Sequence, residues 1–435
     1  MELGQSNTYI MMQRINLYIL SNEHSRGSIY GIGTYLKELA NALKDSTVNI
    51  TVVYIHNEQV FKTEETDGIK SWYIPSTLEN ACYLDNESRA KQYYRNITKL
   101  MQLYMPDTNR LVFHLNFNEH QLLADTLKET FDCKIVSAIH YLNWGFALFG
   151  NVSQLRTILS TQDTNQENEF EKSMNEPFLK EKKLFETVDH VICLSEHTKQ
   201  ILNEDYQIAS NKTSVIYNGL TDIPSVTDKQ ELRRKYHIPD IPILFFAGRL
   251  DEVKGLTYAL QAFKTVINTQ PCHFIIAGSG SFNIYMKACV DIWMHVTWTG
   301  LLDKEKLYDL YAIADIGVMP SLHEQCSYVS IEMMMHGVPL IASTSTGLCE
   351  MIEDGVTGLH IPVIEHPERV EIDSSLLAEK MLYLLQHPEE RKRLGVNARK
   401  RYEQLFSSTV MRKNMLNFYN SLYDTENNSP SMGGA

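Results

Sequence analysis

The chain alternates between short, mostly apolar runs and longer stretches with apolar residues every three or four positions. Ile15–Leu20, Val48–Ile55, Lys70–Ile74, Leu111–Phe117, Lys134–Ile139, Val188–Leu194 and Thr213–Tyr217 read as strands. Thr34–Leu43, Ser88–Tyr104 and Glu119–Phe131 carry helical spacing between them. Short strands alternating with helices make repeated βαβ units, hence a mostly parallel sheet covered on both sides. The strand–helix order restarts at Ile243–Ala247 and continues through His273–Ala277, Val296–Thr299, Ile316–Met319 and Leu340–Ala342. From Leu376 to Tyr423 the pattern is helical, in three pieces. The expectation is an α/β protein with two doubly wound, Rossmann-like halves facing each other across a cleft. Residues 1–225 and 226–404 form the two domains, divided in the charged, proline-bearing stretch Ile223–Asp240. Residues 151–187, rich in Gln, Asn and Glu, read as an insertion ending in a helix.

Chemistry gathers where strands end. After Ile15–Leu20 comes the loop Ser21–Gly33, with Gly27, Gly31 and Gly33, then a helix. That order can aim backbone N–H groups at an anion, although a plain tight connection has the same look. After Ile243–Ala247 come Arg249 and Lys254, with a helix starting near Gly255. Two cations at a helix amino end suit a diphosphate. After Ile316–Met319 come two carboxylates eight positions apart, Glu324 in a loop and Glu332 on a helix expected over Ser330–His336. Each can accept two hydroxyl hydrogen bonds, as ribose or a sugar requires. His140 stands at the end of Lys134–Ile139, and Asn143-Trp144-Gly145-Phe146 follows with aromatic surface. His24 lies at the end of the first strand.

The string from Pro320 to Gly358 supplies Pro320, Ser321, Glu324, Glu332, Gly337, Pro339, Glu350, Asp354, Gly355 and Gly358. Together with Gly248-Arg249-Leu250 and Lys254-Gly255 it resembles the signature of the family 4 (group 1) retaining glycosyltransferases. The resemblance extends from about residue 14 to about 424. It implies the GT-B fold, with a last helix, about 405–425, crossing back onto the first domain. It also implies transfer of a sugar from a nucleotide-sugar donor, UDP- or GDP-linked, with retention of anomeric configuration and without a metal. The first domain would bind the acceptor and the second the donor. By that resemblance Arg249 and Lys254 hold the donor phosphates, Glu324 a sugar hydroxyl and Glu332 the ribose. His140 sits beside the donor sugar, Gly31 and Gly33 near the diphosphate, and Leu301 by the nucleobase. The backbone of Ser327, Tyr328 and Val329 faces sugar and phosphate. The family's Gly-Phe-Gly after the first glutamate is here Gln325-Cys326-Ser327, which restricts the backbone and leaves sugar specificity open. Two other readings stand beside this one. The first is an inverting transferase with His24 as base, or a sugar-nucleotide epimerase. The second is a non-catalytic subunit that binds a partner protein.

Composition narrows the rest. A formal net charge of −13 argues against a nucleic-acid partner. Residues 1–225 carry 20 Lys and Arg against 28 Asp and Glu, which argues against simple docking on an anionic membrane. The seven cysteines are scattered, with no Cys-x-x-Cys, and suit a reducing cytoplasm. No apolar run is long enough to span a bilayer and no signal peptide is expected. The acceptor is open among glycan, lipid, peptide and small natural product.

Overall fold

The computed structural model describes residues 14–22, 31–57, 60–76, 86–160, 168–223 and 228–424. The first sheet contains β1 (Ile15–Asn22), β2 (Val48–Asn57), β3 (Lys62–Thr66), β4 (Ile69–Pro75), β5 (Leu111–Leu115), β6 (Cys133–Ile139), β7 (His190–Cys193) and β8 (Thr213–Val215). Their order is β3-β4-β2-β1-β5-β6-β7-β8, parallel except for the β3–β4 pair. The second sheet contains β9 (Ile243–Ala247), β10 (His273–Ala277), β11 (Val296–Gly300), β12 (Ile316–Met319), β13 (Leu340–Ser343) and β14 (Gly358–Ile361). It is ordered β11-β10-β9-β12-β13-β14. A small antiparallel pair follows, β15 (Val363–His366) and β16 (Arg369–Ile372).

The apolar runs account for the central strands. Every residue of β5, β9, β12 and β13 is buried, because helices cover both faces. In each sheet the chain reverses its winding next to the strand that begins the unit, between β1 and β5 and between β9 and β12. The crevice outside such a reversal is where open α/β sheets bind ligands.

Several elements differ in extent from expectation. The first helix among the described residues spans Gly31–Leu43, so Gly31 and Gly33 belong to its opening turn and not to a loop. Residues 23–30, with His24 and Gly27, lie outside the described residues. The stretch 151–187 holds two helices, Val152–Ser160 and Glu169–Thr187, and the second buries Phe178, Leu184 and Phe185 in the core of the first unit. Within Ile223–Asp240 a short helix, Lys229–Lys235, is capped by the Asp228 side chain.

The final helix, Ser408–Asp424, packs against the helix Gly31–Leu43. Met411, Met415, Phe418 and Tyr419 are buried at helical spacing. The Tyr419 hydroxyl lies 2.8 Å from His114 Nδ1 on β5, and Tyr423 donates to Leu111 O at 2.8 Å. The two units also clasp each other directly. The Glu350 carboxylate accepts from the backbone N–H groups of Glu196 (2.9 Å) and His197 (3.2 Å) and from Tyr217 Oη (2.8 Å). A carboxylate of the second unit therefore caps a helix amino end of the first. Gln325 reaches across the same seam to Thr198 and Ser195. Among the described residues no helix is long and apolar enough to cross a membrane.

Candidate functional site

A cavity of about 440 Å³ opens where both sheet reversals meet. The first unit lines it with Gly31, Phe117, Glu119, His140, Tyr141 and Phe146. The second lines it with Arg249, Lys254, His323, Glu324 and the turn Gln325–Val329. Nearly all these residues follow the carboxyl ends of β1, β5, β6, β9 and β12.

The cationic corner is built tightly. Gly255 has φ +66°, and a Cβ there would sit 1.9 Å from Pro320 O. Only glycine lets the Lys254 turn approach the loop after β12 this closely. Lys254 Nζ consequently lies 2.6 Å from Glu324 Oε1, with the two side chains 17% and 12% exposed. Ser321 Oγ also donates to Glu324, at 3.2 Å. Arg249 pairs with Asp251 at 3.1 Å and lies 5.7 Å from the Phe146 ring centre. Beyond this corner Ser327 caps the helix Tyr328–Met335, accepting from Ser330 N, so Tyr328 and Val329 are its first residues. The Ser327 N–H, expected to face the donor, instead donates to Met351 Sδ at 3.2 Å, and Ser330 N is taken by the cap, so Tyr328 N and Val329 N are the groups without an intrahelical acceptor that can meet an anion.

His140 is oriented by its neighbours. Asn116 donates through Nδ2 to Leu20 O at 3.0 Å, so its Oδ1 accepts from His140 Nε2 at 3.0 Å. The ring proton is then on Nε2, and Nδ1 is left as an acceptor. Burial, and after it the neighbouring His114, pushes this imidazole down to about 3. His140 is therefore neutral at physiological pH and suits a hydroxyl better than a proton transfer.

The turn at Gln325-Cys326-Ser327 is held from both units. Asn218 Nδ2 donates to Cys326 O at 2.8 Å, and a Cβ on Gly347 would meet Gln325 O at 1.8 Å. Burial pushes the Cys326 thiol up to about 12, which makes it a filler and not a nucleophile.

Arg249, Lys254, Glu324, His140, Gly31, Ser327, Tyr328 and Val329 all line the cavity. Gly33, Leu301 and Glu332 are not among its lining residues. Gly33 is the third residue of its helix. Leu301 is 67% exposed just after β11. Glu332 is buried, accepting from Tyr311 Oη at 3.0 Å and Tyr308 Oη at 3.4 Å. Its burial pushes the carboxyl up to about 7. Of the expected aromatic surface only Phe146 faces the cavity, since Trp144 is buried in the core. Phe117, Glu119, Tyr141 and His323 were not expected here. The strand-end rule that singles out His140 also reaches Phe117 and Glu119 after β5. His323 is 3% exposed, and a Cβ on Gly145 would come within 2.4 Å of its Nε2. Burial pushes its imidazole down to about 3, so it packs as a neutral ring against Trp144 and Phe146.

Two family models cover most of the chain. "Glycosyltransferase Family 4" matches residues 29–222, and "Glycosyl transferases group 1" matches residues 228–401. The chain belongs to the family 4 glycosyltransferases. Among curated relatives of this glycosyltransferase is the alpha-D-kanosaminyltransferase of Streptomyces kanamyceticus. It is 30% identical over 181 residues, 41% of this chain and 45% of that protein. Spore coat protein SA of Bacillus subtilis is 28% identical over 253 residues, 54% and 65% of the two chains. The matches thus span roughly half to two thirds of these relatives' own lengths. Among solved structures, sucrose-phosphate synthase of Thermosynechococcus elongatus superposes with a TM-score of 0.72 at 20% identity, covering 95% of this chain and 100% of that one. HepE of Anabaena, solved with UDP-glucose, gives 0.68 at 15% identity, covering 94% and 100%. At these identities the likeness establishes the fold, which is GT-B.

Proposed function

We propose that this glycosyltransferase moves a sugar from a UDP- or GDP-linked donor to an acceptor hydroxyl, with retention and without a divalent metal. The observation that carries the reading is the convergence of Arg249, Lys254 and Glu324 in one cavity at both sheet reversals. The donor lies along residues 226–404 and the acceptor along residues 1–225. Arg249 and Lys254 hold the diphosphate, where negative charge grows as the bond from sugar C1 to phosphate oxygen breaks. The N–H groups of Tyr328 and Val329, and the helix start at Gly31 and Gly33, supply further positive potential. The acceptor oxygen bonds to C1 on the face the phosphate leaves, and its proton passes to the departing phosphate oxygen. That route needs no protein base, which fits the neutral His140. His140 Nδ1 accepts a donor-sugar hydroxyl and Glu324 accepts another. Glu332 binds the ribose after giving up a tyrosine partner, and Leu301 flanks the base. Closure of the two units excludes water from the donor.

A reducing cytoplasm suits the described cysteines, all of them unpaired. The test is a thermal-shift screen of UDP- and GDP-sugars, followed by product analysis with candidate acceptors. A specific stabilisation by one nucleotide class is expected. No response to any nucleotide or nucleotide sugar would contradict the reading.

A further inference from the structure

The two halves of the cavity differ in charge: among the described lining residues the cations are all on the donor side, Arg249 paired with Asp251 at 3.1 Å and Lys254 with Glu324. On the other side Glu119 is the only charged side chain that the first unit contributes, among the described residues lining the cavity. Glu119 is exposed and, among the described residues, makes no ion pair. Its position is fixed by the residue before it. The Asn118 side chain is 3% exposed and donates to Tyr141 O at 2.6 Å and to Glu181 Oε1 at 2.9 Å. Glu181 also accepts from Asn143 N at 2.9 Å, so the Tyr141–Asn143 segment and Glu119 are held as one frame. Glu181 is buried behind the same wall, where burial pushes its carboxyl up to about 7, so it serves as a hydrogen-bond hub and leaves Glu119 as the charged group. Around Glu119 the wall is aromatic, formed by Phe117, Tyr141 and the 41%-exposed Phe146.

We infer that the acceptor is a saturated ring bearing a protonated amine, an amino sugar or aminocyclitol, with the ammonium group on Glu119. This rests on the proposed donor reading. The aromatic wall matches the apolar C–H face of such a ring and attracts a cation through its π faces. The carboxylate supplies charge-assisted acceptors for the ammonium hydrogens. A neutral ring would gain the aromatic contact alone, and an anionic ring would be repelled. The acceptor's remaining hydroxyls are left to face the donor sugar.

The experiment compares methyl glycosides of glucosamine, glucose and glucuronic acid binding to the full chain saturated with UDP or GDP. It is read by calorimetry at a pH where the amine is protonated. The glucosaminide is expected to bind about tenfold tighter than the glucoside, the scale of a hydrogen bond to a charged group partly open to water, with the glucuronide weakest. In Glu119→Gln the first two should bind within about twofold of each other, while Glu119→Asp keeps part of the preference. Equal binding of glucosaminide and glucoside, no binding of the glucosaminide, or an unchanged preference in Glu119→Gln would each overturn the inference. Nucleotide affinity in the same samples separates the two claims. Its absence contradicts the donor reading, whereas its presence without amine preference contradicts only the acceptor class.

Discussion

Lys254 and Glu324 serve both the fold and the chemistry, and a double substitution separates the two. Their 2.6 Å pair is 17% and 12% exposed, so Lys254→Met strands a carboxylate that is mostly out of water. Breaking a fully buried pair costs 3–5 kcal/mol, and with some solvent access the cost here is about 2–3 kcal/mol. Adding Glu324→Gln removes the stranded charge, and the amide keeps its hydrogen bond from Ser321. Most of the lost stability should return, giving a coupling of about 2 kcal/mol in the double-mutant cycle. Turnover should behave differently. Lys254→Met removes a cation from the site of the leaving diphosphate, worth about 3 kcal/mol or roughly two orders of magnitude in rate. Glu324→Gln cannot replace that charge. The double variant should therefore regain urea resistance and stay slow in single-turnover assays. A double variant no more stable than Lys254→Met would refute the pairing argument. One that regained turnover would refute the catalytic role of Lys254.

Two further outcomes follow from the same geometry. Because Arg249 and Lys254 are assigned the neutralisation of the diphosphate, transfer should persist in EDTA and Arg249→Ala should cost about two orders of magnitude in rate; loss with chelator and rescue by a divalent ion would contradict that assignment. Glu332 gives a pH signature. Its carboxyl is raised from 4.5 to about 7, so the stability it contributes is complete below pH 4.5 and lost as pH rises through 7. Against Glu332→Gln, the wild type should therefore lose about 3 kcal/mol in urea titrations between those limits, and a pH-independent difference would contradict the burial argument.

How far the sequence foretold this arrangement depended on burial. β1, β5, β6, β9, β12 and β13 were legible because strands covered on both faces read as short, mostly apolar runs. β3 was not, since all five of its residues, Lys62–Thr66, are exposed and carry no apolar signal. The helix Lys229–Lys235 hid in a charged stretch, and only Asp228 marked its start. The helix Tyr328–Met335 begins two residues before its expected start because the Ser327 hydroxyl caps it. Arg249, Lys254 and Glu324 were legible because the strings around them resemble the family signature, their placement after two strands being a weak signal alone. Glu119 was not, because it read as the first residue of a helix that begins instead at Gln121. The burial of Glu332 under Tyr308 and Tyr311 depends on contacts with another helix, which spacing within one segment does not reveal.

The central claim is transfer by same-face attack at two cations and without a protein base. The anomeric configuration of the product tests it most directly. With an α-linked nucleotide sugar, NMR coupling constants should report an α-linked product, and His24→Ala should keep most activity. A β-linked product, with His24→Ala inactive, would contradict the mechanism.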